Sequence, residues 1–377
     1  MAFISSVKRT LKKVKWKRYT SYIVVGAWFA VLLLLDLFGG LNDTGSRLMM
    51  LAAVYAVLAV SLNLVVGVLG ELSLGHAGFM AAGGYIGAIV SKALAPSLPV
   101  AAYFPVSMIA GGLAAAAFGI LIGVPVLRLK GDYIAIVTLA FSMIVFTVAQ
   151  NLDFTGGASG LKEIPAETNY INAFVVLIIV LVVIQNFTRS KHGRAIMSIR
   201  DNEIAARACG VNITYYKLFA FTLAAFLAGV GGCLYAHTAT VLRPESVDYN
   251  TSIELLVMVV LGGMGSMTGA VIAAAVLSLL PEYLRFLQDY RMIIYAVVLI
   301  LIMVINNNET LRRYKDRFFA WCKRALAAAW AKCKTALKGK KKAPAPAAET
   351  RETLQAPAEF TEVDETALDE RERKGEK

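Results

Sequence analysis

The chain has 377 residues, of which 58% are apolar and only 17% are charged. Soluble globular proteins carry about a quarter charged residues, so this composition argues against a soluble enzyme and excludes a wholly disordered, collagen-like or disulfide-stapled chain. The formal net charge is +12, concentrated in two basic regions on either side of a neutral body. Basic patches can bind nucleic acid, but each one here adjoins an apolar segment, which favours contact with anionic membrane lipid and no nucleic-acid partner.

The N-terminal region, residues 1–19, holds seven Lys and Arg and no acidic residue. It precedes Ser21–Phe38, an apolar segment close to the length of about 20 residues that a membrane-spanning helix needs. The basic flank resembles the start of a secretory signal peptide, but no small-residue cleavage site follows it. We therefore expect an uncleaved first span that opens a transmembrane domain over residues 20–308.

Further apolar segments follow along this domain. The uninterrupted ones are Arg47–Gly70, Leu72–Leu94, Ala101–Leu127, Tyr133–Gln150, Tyr170–Phe187, Leu218–Val241 and Met292–Ile305. Ser252–Leu280 is also apolar, but it contains four glycines between Gly262 and Gly269. It predicts either two short helices that meet at these glycines or one long helix with a glycine-rich packing face.

The distribution of Lys and Arg orients these segments, because cytoplasmic loops carry an excess of both residues. The N-terminal bases place residue 1 in the cytoplasm, and twelve bases in residues 309–342 place the other end there too. Both conditions require an even number of spans. The sequence therefore predicts an all-α integral membrane protein with about ten transmembrane helices, two of them short and meeting at the glycine break. One long helix in that region would give nine.

Polar and glycine positions inside the apolar segments are candidates for a translocation pathway, because ionisable groups at membrane depth are costly and mark function by default. The candidates are Asn63, Ser73, Gly75, His76, Gly78, Gly262, Gly263 and Gly265. His76 could carry a proton, contact a substrate or donate a structural hydrogen bond. No second titratable group accompanies it at helical spacing, which favours the structural role. Glu254, at the start of the first short helix, could hold a substrate ammonium or cap the helix, and we favour the cap.

The polar segment 188–217 carries six Lys and Arg and is expected in the cytoplasm. Asp201 is placed to cap a short helix whose first turn holds Glu203, and Gly210 is placed to end it. Ala205, Ala206 and Ala208 would give this helix a small-residue surface. Such a helix can seat in a groove of a partner protein, or it can pack on the bundle as a surface helix.

Motifs for self-contained chemistry are missing from the sequence. It has no G-x-x-x-x-G-K-[ST] phosphate loop, so we expect no ATP motor in this chain. Three histidines and four cysteines without C-x-x-C spacing predict no zinc site. We expect no catalytic residue, no metal and no cofactor.

The C-terminal region divides into two parts. Six residues recur at steps of three and four and share one helical face: Phe319, Cys322, Leu326, Trp330, Cys333 and Leu337. Residues 309–342 therefore predict a basic amphipathic helix that lies on anionic lipid, or alternatively binds a partner protein. Residues 343–377 hold ten acidic and five basic residues and are expected to be a disordered charged tail.

Five segments, in order along the chain, resemble the branched-chain amino acid ABC transporter permease family, and in particular its LivM-type members. They are NLVVGVLGELSLGHAGF from Asn63, RLKGDYIAIVTLAF from Arg128, TGGASGL from Thr155, GRAIMSIRDNEIAARACGV from Gly193 and VLGGMGSMTGA from Val260. The resemblance covers roughly residues 48–305. The basic helix and the charged tail lie outside it, and the NNNET that follows the last span departs from the usual family ending.

The resemblance implies an importer permease of about ten spans in the bacterial inner membrane, with both termini cytoplasmic. It implies a homologous second permease subunit, two cytoplasmic ABC ATPases and a periplasmic amino-acid-binding protein as partners, with lipid around them. The family's ATPase-coupling segment maps onto Gly193, Arg194, Arg200, Glu203, Ala205, Ala206, Arg207 and Gly210. Relatives with similar motifs carry urea or short amides, so such an importer is the alternative, together with an ATP-independent secondary transporter. A membrane-anchored interaction protein that acts through its basic helix is a further rival.

Overall fold

A computed structural model of the chain describes residues 43–129 and 131–283, and isolated positions 22, 25, 26, 28, 296, 297 and 300. Apart from those isolated positions, four predicted elements lie outside the described residues. They are the first span Ser21–Phe38, the last span Met292–Ile305, the basic helix 309–342 and the tail 343–377.

The described chain folds into helices, and the longest connection between them runs from Asn151 to Tyr170. Their bounds are α1 Asp43–Asn63, α2 His76–Leu94, α3 Val100–Val126, α4 Tyr133–Asn151, α5 Tyr170–Arg189, α6 Lys191–Asp201, α7 Glu203–Ala208, α8 Ile213–Ala239, α9 Tyr249–Gly262 and α10 Met267–Tyr283. Within the described residues, α2, α3, α4, α5, α8 and the segment Thr44–Leu69 are long and apolar enough to cross a membrane. This architecture is that of a multi-pass membrane protein.

The centre of the bundle consists of α1, α2 and α8, whose apolar side chains are mostly buried. Close backbone contact is possible because glycines face each other: a Cβ on Gly83 of α2 would overlap the backbone of Gly229 in α8. By contrast, α3 and α4 expose large apolar side chains, such as Leu121, which is 70% exposed, and Ile144, which is 61% exposed. Such outward apolar faces are the surface that hydrocarbon or a neighbouring membrane protein covers.

The end of α1 departs from regular α-helix. It continues as a π-helix over Leu64–Leu69, and Gly70 then adopts a left-handed conformation with φ of 84°. The chain runs irregularly from there to His76, so the prediction that the next span begins at Leu72 was wrong by four residues. The reason is a side-chain contact: Leu74 N donates to Thr138 Oγ1 of α4 at 3.0 Å, which gives the backbone a partner other than a helical carbonyl.

The glycine break between α9 and α10 is confirmed as two separate short helices. Gly263 and Gly265 have φ of 90° and 81°, which stops α9 and turns the chain into α10. With 14 residues, α9 is about 21 Å long, shorter than a hydrocarbon core of about 30 Å. The predicted cap was wrong: Asp248 accepts from Tyr249 N at 2.5 Å, and Glu254 lies inside α9.

The connection between α4 and α5 pairs with the connection between α8 and α9, at the end of the bundle opposite α6. Leu161 and Leu242 exchange both backbone hydrogen bonds at 3.0 Å, and Ile164 N donates to Thr240 O at 3.2 Å. Lys92 at the end of α2 donates to Glu163 at 3.0 Å, and this hydrogen bond lowers the pKa of the exposed Glu163 carboxyl. The bundle therefore presents α6 and α7 at one end and these loops at the other.

Candidate functional site

The connection from α5 into α6 is tight. Ser190 caps α6 by accepting from Gly193 N at 3.2 Å, and a Cβ on Gly193 would overlap the carbonyl oxygens of Phe187 and Thr188. A glycine at position 193 therefore lets α6 fold back directly against the end of α5. Arg194, one residue later, is exposed and donates from Nη1 to Arg189 O at 3.0 Å.

The segment 188–217 holds two short helices, α6 and α7, where the sequence predicted one. The cap of α7 is Asn202, whose Oδ1 accepts from Ala205 N at 3.0 Å. The prediction of Asp201 as the cap was wrong by one residue, because Asp201 is still in α6 and the extended backbone that a cap needs falls on Asn202. Gly210 ends the helix as predicted, with φ of 82° and Val211 N bonded to Ala206 O.

One face of α7 is turned outward. Ile204 is 83% exposed, and Ala205 and Ala208 are exposed beside it. Ala206 was predicted on the same small-residue surface, but it is buried against Ile199 and Ile213. The exposed face of α7 is therefore built around a large apolar side chain with two alanines next to it, and Ala206 holds the opposite face onto the bundle.

A buried lysine ties α7 to the bundle. Lys217 Nζ, near the start of α8, lies 2.6 Å from Glu71 Oε1 and 3.2 Å from Glu203 Oε2. The Lys217 side chain is only 9% exposed. Arg207 Nη2 lies 3.2 Å from the other oxygen of Glu203 and is largely exposed. Because the Glu203 carboxylate is engaged by two cations of its own chain, it works as an internal anchor in this structure.

A second link joins α6 to the end of the α1 segment. Arg200 Nη1 donates to Gly67 O at 2.9 Å, while its Nε and Nη2 donate to Asp201 Oδ1 at 3.1 and 2.9 Å. Gly70 leaves space for this side chain, since a Cβ there would lie 2.5 Å from Arg200 Cγ. The last carbonyls of a helix lack intrahelical donors, so a guanidinium at this end satisfies one of them.

The first group of pathway candidates lies where α2 begins. His76 Nε2 is 2.7 Å from Ser61 Oγ of α1, and both side chains are buried. Ser73 is also buried and accepts from Gly75 N at 3.4 Å. Gly75 and Gly78 give close approach to α4: added Cβ atoms would lie 2.8 Å from Thr138 O and 2.9 Å from the Phe141 ring. These residues join α2 to α1 and α4.

The second group of candidates meets at the glycine break. Asn63 Oδ1, buried at the end of α1, accepts from Gly265 N at 2.8 Å. Gly262 faces Gly269 across the break so closely that a Cβ on either would overlap the other's backbone. Gly263 supplies the first left-handed turn of the connection. The structure thus brings Asn63 together with Gly262, Gly263 and Gly265, and places His76 and its neighbours in a separate cluster.

Three residues in these contacts were not singled out from the sequence. Lys217 binds the carboxylates of Glu71 and Glu203. Thr138 accepts from Leu74 N, and Ser252 Oγ accepts from Ala77 N at 2.9 Å. For Lys217 the only signal in the sequence was a lysine near the start of an apolar helix. For Thr138 and Ser252 the signal was a single hydroxyl inside an apolar segment, which many packing positions share.

Residues 45–303 match the model of a protein family described as branched-chain amino acid transport system / permease component. The chain belongs to this family. It is 34% identical over 290 residues to the high-affinity branched-chain amino acid transport system permease protein LivM of Salmonella typhimurium, a match that covers 67% of this chain and 66% of that protein. LivM of Escherichia coli is also 34% identical, over 293 residues and 67% of both chains.

A more distant relative of this permease is the ribose import permease protein RbsC of Haemophilus influenzae, 24% identical over 276 residues that cover 68% of this chain and 82% of that protein. The chain spans about two thirds of the length of its LivM relatives. No solved structure matches it. As an ABC-type permease of the branched-chain amino acid family, the chain is a multi-pass transport subunit. Over the ranges that the structure describes, no three His, Cys, Asp or Glu side chains are grouped as metal ligands would be.

Proposed function

We propose that the chain is the membrane-spanning subunit of an ABC importer for branched-chain amino acids, that it forms half of the translocation pathway, and that partner chains hydrolyse the ATP. The observation that carries this proposal is the placement of α6 and α7. Both helices are anchored at one end of the membrane-crossing helices, through Lys217 and Arg200, in a chain whose sequence has no phosphate loop.

The ATPase would dock on the exposed face of α7. Ile204 projects from this face almost fully exposed, and a large apolar side chain on a short polar helix is favourable when a partner covers it. Arg207 stands beside it, 72% exposed. We infer that Ile204 fills an apolar pocket of the ATPase while the two alanines allow close approach. Movement of the ATPase would then displace α6 and α7 as a rigid pair.

Docking of the ATPase on α7 implies an orientation of the chain in the membrane and a set of partner subunits. The end with α6 and α7 faces the cytoplasm, as the six bases of segment 188–217 favour, and both termini lie on that side of a ten-span subunit in the bacterial inner membrane. The paired loops around Leu161 and Leu242 face outward and receive the amino-acid-binding protein. A homologous second permease subunit and a second ATPase complete the importer. The names of the LivM relatives support branched-chain amino acids as the substrates.

The test is uptake of radiolabelled leucine, isoleucine and valine by vesicles that contain all subunits. We expect uptake to require ATP inside the vesicle and the binding protein outside, with no response to an ion gradient alone. Uptake of urea or a short amide in place of the three amino acids would assign the chain to an importer for those compounds. Uptake driven by an ion gradient without ATPase subunits would contradict the proposal and favour a secondary transporter.

Docking on α7 has its own test. Ile204→Asp is expected to weaken co-purification of the ATPase by about tenfold or more, since it places a charge in an apolar contact. The matched control is Leu98→Asp, which changes an exposed apolar side chain at the opposite end of the bundle. Equal loss of the ATPase in both variants would point to unfolding, and no loss in either would contradict docking through Ile204.

A further inference from the structure

The structure carries one connection that family membership does not supply. We infer that Arg200 is a positioning residue that transmits movement of α6 to the glycine break between α9 and α10, through the π-helical turn Leu64–Leu69. This inference deepens the proposed function and rests on it, because the movement of α6 would come from the ATPase.

The first step is the grip of Arg200 on the π-helix. Its guanidinium is held at two points, with Nε and Nη2 on Asp201 and Nη1 on Gly67 O. Its aliphatic stem lies against Gly70, where a Cβ would come within 2.5 Å. If α6 moves and Arg200 keeps its hydrogen bond to Gly67 O, the π-helix has to move with α6.

The second step is backbone contact between Gly67 and Gly265. A Cβ on Gly67 would overlap the backbone nitrogen of Gly265, and a Cβ on Gly265 would lie 3.3 Å from Gly67 O. The same carbonyl oxygen therefore receives Arg200 on one side and lies near Gly265 on the other. Because there is no side chain between the two backbones, little can absorb a displacement of the π-helix.

The third step is the hydrogen bond that fixes Gly265 to α1. Asn63 Oδ1 takes the Gly265 N–H at 2.8 Å, and Asn63 is buried at the residue where α-helix changes to π-helix. Gly265 has a left-handed φ of 81°, so its position is set by this contact and by the two short helices. π-Helical backbone is rare in proteins and often occurs at functional sites.

These contacts form a continuous path from α6 to the break. It leads from Arg200 to Gly67, and from Gly67 and Asn63 to Gly265, across segments 133 and 202 residues apart in sequence. The break is the point at which α9, which at 14 residues is shorter than a hydrocarbon core, turns into α10. A shift there changes the angle between α9 and α10, which is a means of opening one side of a pathway while closing the other.

The test uses the complete transporter in proteoliposomes and measures uptake and ATP hydrolysis together. We expect Arg200→Ala and Asn63→Ala to lower uptake by about tenfold or more while ATP hydrolysis stays within about twofold of the parent. Arg200→Lys, which keeps one N–H donor in reach of Gly67 O, should recover part of the uptake. Lys191→Ala is the matched control, since it removes an exposed base from the same helix.

A second readout follows the break directly. Met264 lies in the break and is 66% exposed, so M264C can be labelled with a water-soluble maleimide after Cys209, Cys322 and Cys333 are replaced by serine. We expect ATP to change the labelling rate in the parent with intact Arg200. The same change should be absent with Arg200→Ala and Asn63→Ala, and present with Lys191→Ala.

Three outcomes would contradict the relay through Arg200 or the proposed function on which it rests. Parent-like uptake and a parent-like labelling response in both alanine variants would overturn the relay. Uptake and ATP hydrolysis that fall in proportion, with Arg200→Lys no better than Arg200→Ala, would assign Arg200 to assembly and also overturn it. A parent that takes up substrate without ATPase subunits would overturn the proposed function itself, and this failure is visible before any variant is made.

Discussion

Lys217 holds its ammonium nitrogen 2.6 Å from Glu71 Oε1, although the two residues are 146 positions apart in the sequence. This ion pair joins the start of α8 to the irregular segment before α2, and Glu203 adds α7 to the same cation. A buried charge is costly when it is left without a partner. The cluster therefore fixes the position of α7 relative to the helices that cross the membrane.

Removing the cation should destabilise the protein. We expect Lys217→Met to lower the free energy of unfolding by about 3 kcal/mol, because the mostly buried Glu71 carboxylate would lose its cation and Glu203 would keep only the exposed Arg207. Thermal unfolding of the detergent-solubilised chain measures this. Arg207→Ala should cost less than about 1 kcal/mol, because the Arg207–Glu203 pair is more exposed. Recovery of stability in the double variant Lys217→Met, Glu71→Gln would confirm the pairing, and an unchanged melting temperature in Lys217→Met would contradict it.

A separate prediction concerns the stability of variants at Gly210, the glycine that ends α7. Gly210 has φ of 82°, and within the part of the chain that the structure describes no atom lies within 4 Å of an added Cβ. Gly210→Ala should therefore cost about 1 kcal/mol from backbone strain alone. Asn tolerates the left-handed conformation better, so Gly210→Asn should cost less. Chemical denaturation of the three proteins ranks them, and an alanine variant as stable as the parent would argue against the left-handed helix end.

The sequence was sufficient for features that depend on a single segment. Apolar length predicted the spans from Arg47 to Val241 to within a few residues, and glycines that permit positive φ predicted the break near Gly263. The irregular segment before His76 was missed, because its partner Thr138 lies 64 residues away from Leu74. Asp201 and Asn202 are equally good caps, and which one serves depends on where α6 turns against the bundle.

Packing between α2 and α8 depends on the smallest side chain at their crossing. A Cβ on Gly83 would overlap the backbone of Gly229, so Gly83→Ala should force the helices apart and cost about 1–3 kcal/mol. Gly26→Ala is the control, because no described residue lies within 4 Å of a Cβ there. Thermal unfolding should show a lower midpoint for Gly83→Ala only. A similar loss in both variants would mean that glycine-to-alanine changes act through something other than this crossing.

Variants of His76 distinguish a structural hydrogen bond from a direct role in transport. The Ser61 hydroxyl donates to Leu58 O at 2.7 Å, so the 2.7 Å contact between Ser61 Oγ and His76 Nε2 requires the histidine to donate. Gln can donate a similar hydrogen bond, whereas Leu cannot. We expect His76→Gln to keep uptake within about threefold of the parent, and His76→Leu to lower the free energy of unfolding by about 1–3 kcal/mol, because the buried Ser61 oxygen loses its donor. Uptake by the assembled transporter and thermal unfolding are measured on the same preparations. If His76→Gln abolished uptake at parental stability, the histidine would have to carry a proton or contact the substrate, and the structural role would be wrong.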